Sequence, residues 1–203
     1  LASSRRHRLT ENKRLYEYLR EVEEVTSWVR EQETVAASED YGTDLEHVQI
    51  LQRRFEEFVR SLTTSEERVN HLSSMATSLT SSSHRESEQI KQRQEQVNRL
   101  WADVKELAQA RLEALEGAKK VHTFVRDADD TIEWMGEKEM VVLSEDFGHD
   151  LESVQALIVK HQGFEQDLAA ISGQVETITK TAESLLEQFP DAQEHIHGKH
   201  EEK

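Results

Sequence analysis

The sequence contains no cysteine, a single proline and only seven glycines in 203 residues. Without cysteine there is no disulfide framework and no thiol chemistry, which suits a reducing compartment. So little proline and glycine cannot punctuate many short strands or α/β crossovers. No apolar run approaches the roughly 20 residues of a membrane-spanning helix, and no signal peptide is visible. Positive charge is scarce: 25 Lys and Arg face 41 Asp and Glu, a formal net charge of -16. That balance disfavours nucleic acid and anionic lipid as partners. Catalytic signatures are missing as well, with no nucleophile elbow, phosphate loop or HExxH. The chain therefore reads as no enzyme, with no cofactor and no metal. Its first residue is Leu1, which reads as a fragment of something longer.

What is present is helix-forming material: Glu, Gln, Leu, Ala, Arg and Lys dominate. It is also repeated. Trp28 recurs as Trp134, and Ser38-Glu39-Asp40-Tyr41-Gly42 recurs as Ser144-Glu145-Asp146-Phe147-Gly148, both after 106 residues. Asp44-Leu45-Glu46 and Val48-Gln49 return as Asp150-Leu151-Glu152 and Val154-Gln155, and Phe58 and Leu62 return as Phe164 and Leu168. From Trp28 to Leu62, 16 of 35 positions are identical without a gap, which marks a duplication.

Each unit reads as three helices. Leu15, Leu19, Val22, Val25 and Val29 stripe a first helix at about 14–36. Gly42 supplies a left-handed turn, and Thr43 with Glu46 forms a capping box for a second helix at about 44–80. The apolar step there, from Leu45 through Val48, Phe55, Leu62 and Val69 to Leu79, averages close to 3.5, the coiled-coil period. Ser81-Ser82-Ser83 breaks it, Ser83 with Glu86 offers a cap, and Ile90, Val97, Trp101, Val104, Ala108, Leu112 and Leu115 stripe a third helix. The expected fold class is all-α: tandem three-helix antiparallel bundles with left-handed coiled-coil packing.

No proline separates Glu86 from Trp134, and Gly117 stands alone among good helix formers. The third helix of one unit is thus expected to continue into the first of the next through Leu115, Gly117, Ala118 and Val121, as a linker of about 33 residues, or about 50 Å. Bundles joined by a continuous helix make an elongated rod. The expected division is 1–14 as the end of a preceding third helix or a linker, 15–117 as one repeat, and 118–203 as a second whose third helix is truncated. Pro190-Asp191 opens that helix, with Asp191 and Glu194 as a capping pair, but the counterpart of Trp101 would fall at position 207.

Other clusters yield to plainer readings. Trp28, Trp101, Trp134, Phe58 and Phe164 lie at helical spacing among aliphatics and read as structural core. His195, His197 and His200 spread around a helix rather than sharing one face as zinc ligands would. Glu39-Asp40 and Glu145-Asp146 lack the alternating oxygens of a calcium loop. The basic run Arg5-Arg6-His7-Arg8 admits two readings, a contact for phospholipid head groups or a helix end.

The first-helix tryptophan, the Ser-Glu-Asp-Tyr/Phe-Gly-x-Asp-Leu-Glu-x-Val-Gln segment and Trp101 together resemble the spectrin repeat. Arg126-Asp127-Ala128-Asp129-Asp130 before Trp134 and Glu137-Lys138 is similar to spectrin first helices. Within the family the 106-residue period favours the spectrins, and among them the alpha chain over the beta. The resemblance implies an elastic spacer of the actin-crosslinking membrane skeleton at the cell cortex, cytoplasmic, paired laterally and antiparallel with a partner spectrin chain. Actin and membrane adaptors would be reached through other parts of the parent protein; no transmembrane segment is implied. A helix-swapped homodimer would close the truncated bundle. The alternative function is a protein-binding platform for an ankyrin-like adaptor or signalling partner, marked by an exposed apolar patch on one repeat only.

Overall fold

A computed structural model describes residues 2–81 and 85–189. They form four helices and, among the described residues, no strand: α1 Ala2–Ala36, α2 Leu45–Ser81, α3 Ser87–Val142 and α4 Leu151–Gln188. The Ser83–Glu86 cap, the break at Ser82-Ser83, the Asp191–Glu194 cap and the three carboxy-terminal histidines fall outside the described residues. Two compact units divide between Glu116 and Gly117.

The turns follow from glycine and aspartate. Gly42 and Gly148 hold φ of +84° and +81°, and a Cβ on either would stand 2.8 Å from a methyl of Val48 or Val154. Only glycine fits there. The cap of α2, however, is not Thr43. Asp44 Oδ1 accepts from the His47 amide at 2.8 Å, and Asp150 accepts from the Ser153 amide at 2.8 Å in the second unit. Asp44 adjoins the first helical residue, so its side chain reaches the third amide, whereas Thr43 stands one residue too far out. The repeat carried the signal: Asp44 recurs as Asp150, but Thr43 becomes His149. The amide bonds hold both aspartates below the usual carboxylate range.

In the first unit α1, α2 and the α3 residues up to Glu116 bury one continuous core. Leu15, Val22, Val25 and Val29 of α1 meet Phe55, Leu62, Val69 and Leu72 of α2 and Val97, Trp101, Val104 and Leu115 of α3. The Trp28 and Trp101 rings lie 5.6 Å apart at 32°. One polar thread crosses this core. The Tyr18 hydroxyl lies 3.2 Å from both the Ile90 carbonyl and Gln94 Oε1, and the Gln94 amide donates to Ser73 Oγ at 2.8 Å. One residue from each helix is thereby tied to the others. Burial pushes the Tyr18 hydroxyl up to about 12, against a smaller opposing pull from Arg93. Outside, Arg68 of α2 pairs with Glu21 and Glu24 of α1 at 3.3 and 3.5 Å, and Lys105 of α3 pairs with Glu66 at 3.1 Å. These exposed pairs add little beyond register.

The 56-residue α3 exceeds the expected linker length because nothing from Ser87 to Val142 breaks it. Its Gly117 has a packing role: a Cβ there would lie 2.6 Å from the Phe189 ring, which seats on the bare backbone. Gly163 and Gly173 in α4 have nothing within 4 Å. Replacing either by alanine should stabilise the second unit by about 0.5–1 kcal/mol, whereas Gly117→Ala should lower its melting temperature. Thermal denaturation followed by circular dichroism checks the contrast. Tyr18→Phe should cost about 1 kcal/mol in urea unfolding, since the one buried proton shared between the Ile90 carbonyl and Gln94 Oε1 is lost. Because the folded hydroxyl titrates above the unfolded value of 10.0, its contribution is intact below that pH and fades as pH rises toward 12. Tyr18→Phe should flatten that alkaline loss.

Candidate functional site

The same positions meet different fates in the two units. Val121, Phe124 and Ala128 of α3 bury against Ile178, Ala182 and Leu185 of α4, with Phe189 packed beside them. By the 106-residue offset these match Leu15, Tyr18 and Val22 against Leu72, Ala76 and Leu79. That end of the second unit therefore reproduces the corresponding end of the first, with Phe124 replacing the tyrosine.

Further along, the second unit opens. Val154 is 36% exposed where its counterpart Val48 is 0%, and Leu168 is 51% exposed where Leu62 is 4%. Met140, Val142, Phe147, Leu151 and Ile158 are exposed as well. A groove of about 830 Å³ runs between the end of α3 and the start of α4, with Phe147, Val154, Leu157 and Ile158 among its walls. Among its walls, Val142, Val154 and Leu157 match Ala36, Val48 and Leu51, which are buried in or packed against the first core, whereas Phe147 and Ile158 match the exposed Tyr41 and the half-buried Gln52. Lys138 and Asp167, 2.5 Å apart, join α3 to α4. The Phe55 position is held here by His161, whose ring lies 5.7 Å from that of Phe164.

The aromatics named from the sequence divide accordingly. Trp101 is buried, and Trp28 and Phe58 are half-buried against the first core. Trp134 and Phe164 are half-buried but stand outside the second buried cluster. Of the linker residues, Leu115 is buried in the first core, Val121 in the second, and Gly117 lies under Phe189 with Ala118 half-buried beside it. The Trp101 indole nitrogen is buried without a hydrogen bond of normal geometry, although it lies toward Glu66. Lys105 is the main influence holding the Glu66 carboxylate below its usual range, and that indole a smaller one.

Sequence reasoning missed two polar groups. Tyr18 sits three residues after Leu15 and four before Val22, so its place on the stripe was legible. Arg111 was not. It is buried, its guanidinium donates to the Ser38 carbonyl and, at 3.1 Å, to the Asp40 carbonyl, and it lies 5.1 Å over the Phe55 ring. It clamps the turn between α1 and α2 from α3. A lone arginine in a charged helix carries no mark of that role. Among the described residues no group of three His, Asp or Glu is placed to hold a metal ion, and no described helix is long and apolar enough to cross a membrane.

Comparison with known proteins agrees with this arrangement. The family model of the spectrin repeat matches residues 13–117 and again 119–202. The chain is 34% identical over 173 residues to mouse erythrocytic spectrin alpha chain 1, covering 85% of this chain and 7% of that protein. It is 34% identical over 190 residues to the Drosophila melanogaster spectrin beta chain, covering 93% and 8%, and 31% identical over 192 residues to mouse erythrocytic spectrin beta chain, covering 95% and 9%. The chain thus spans less than a tenth of the length of these relatives, and the likeness does not separate alpha from beta. With two matching copies, each built on helices in one register, the chain belongs to the spectrin repeat family.

Proposed function

We propose that this chain is a structural segment of a cytoskeletal protein, acting as an elastic spacer in the spectrin manner and catalysing nothing. The observation that carries this is the uninterrupted α3, which serves as a wall of the first core through Leu115 and of the second through Val121. A load that melts one core withdraws support from the helix on which the other is built. We read the chain as 1–14, a repeat at 15–117 and a second at 118–203; the compact units, which divide between Glu116 and Gly117, support a boundary there and include 1–14 in the first unit. The likeness to spectrin chains supports lateral, antiparallel pairing with a partner spectrin chain, and the parent protein would lie at the cytoplasmic face of the cell cortex, reaching actin and membrane adaptors through other segments.

The alternative of a recruitment platform is not favoured. An apolar patch does occur on the second unit, but Val142, Val154 and Leu157 within it stand at the positions that Ala36, Val48 and Leu51 hold in or against the first core. It is an uncovered core rather than a face added to a finished one.

Replacing Ala118 by proline should cost about 3 kcal/mol or more and lower the melting temperature of both units in calorimetry. Two transitions of which one keeps its wild-type temperature would sink the coupled-spacer reading. In sedimentation velocity, mixing with a full-length spectrin partner chain should produce a faster-moving complex; two unshifted boundaries would remove the lateral pairing.

A further inference from the structure

In composition α2 is two different helices joined end to end. Residues 45–60 contain no serine or threonine, whereas residues 61–81 contain ten. The matching stretch of the second unit, 167–187, contains five. Nine of the ten hydroxyls turn back on their own helix and donate to carbonyls three or four residues earlier, at 2.7–3.2 Å. Each such carbonyl then serves a hydroxyl as well as the helix, which weakens its bond to the helical amide. Serine and threonine also bond the backbone well outside a helix, so each disfavours helix about twofold relative to alanine.

The two halves are held differently as well. Residues 45–60 start from the Asp44 cap, and the Phe55 ring lies 5.1 Å beneath the Arg111 guanidinium and 5.2 Å from the Phe58 ring. Residues 61–81 contain no Phe, Tyr or Trp, and the last turn of α2 has no basic residue to meet the negative end of the helix. The buried side chains of this half are aliphatic: Leu62, Val69, Leu72, Ala76 and Leu79. Its ion pairs, Arg68 with Glu21 and Glu24 and Glu66 with Lys105, are exposed and contribute little.

We propose that residues 61–81 are a yielding segment, which opens and recloses as a local unit while residues 45–60 stay folded. Opening parts Ser73 from Gln94, so the polar thread breaks at this end of the bundle, and it uncovers Leu72, Ala76 and Leu79. The turn gripped by Arg111 at the other end stays closed. The first unit therefore responds to stress in two steps rather than one, because one half of a single helix is weaker than the other. The device lies wholly within the first unit and owes nothing to the linkage between units.

Hydrogen exchange read by mass spectrometry on the 203-residue chain tests this. Amides of residues 65–76, well inside the helix, should exchange about tenfold faster than those of 49–60 or more. Thr64, Ser74 and Thr77 are exposed. Replacing all three by alanine should slow exchange across 61–81 about tenfold, about twofold for each. The pair Arg53→Gly and Glu57→Gly, also at exposed positions, supplies the opposite arm. It should speed exchange of 49–60 about tenfold and leave 61–81 unchanged, since the locally opened state keeps residues 45–60 helical. Equal protection in the two halves, an alanine variant that exchanges like the wild type, or a glycine pair that speeds both halves alike would overturn the proposal. The last result would mean that the unit opens only as a whole. None of these outcomes bears on the spacer role, which is judged by the coupling across Ala118.

Discussion

Everything in this molecule depends on burying narrow apolar stripes that no single helix can cover. With 35% hydrophobic residues and a third of the chain charged, each helix offers one stripe and little else. A pair of helices covers such stripes only in part. In the first unit a third wall from α3 completes the enclosure, and valines, leucines and a tryptophan from three directions fall to a few per cent exposure. Toward the Gly148 turn of the second unit, where two walls are described, Val154 and Leu168 stand 36% and 51% exposed. Val48, at 0% against 36% for Val154, shows how far the α3 wall encloses this position in the first unit.

Polar groups then give the enclosure its register. Aliphatic stripes at coiled-coil spacing can slide by one turn with modest loss, since Val and Leu are near-equivalents. Tyr18, Gln94 and Ser73 cannot, because each satisfies a buried partner on another helix. Arg111 does the same at the opposite end, bringing α3 against the turn between α1 and α2. Both devices bind one helix to the other two. The second unit keeps the turn and its aspartate cap but carries Phe124 in place of the tyrosine.

Much of the fold was legible beforehand. Self-similarity at 106 residues gave the duplication, the stripes gave helix type, and the shortage of glycine and proline gave the unbroken α3. Legibility failed where two residues compete for one role. Thr43 satisfies a capping pattern as well as Asp44 does, and only the backbone path shows which oxygen reaches the third amide. It failed again at Gly117, which looked like a tolerated defect in a helix and is instead the seat of the Phe189 ring.

Sequence by itself determined the helical class, the duplication, the left-handed glycine turns and the family, since periodicity and motif spacing are local or repeat from one unit to the next. Tertiary structure alone decided which stripe residues are dry, which aspartate caps, and that Arg111 reaches across the bundle to a turn 71 to 73 residues earlier. The physical reason is that burial and hydrogen bonding are properties of pairs. Trp28 and Trp134 read alike in sequence, but Trp28 packs against the Trp101 ring in the first core, and Trp134 stands outside the buried cluster of the second unit.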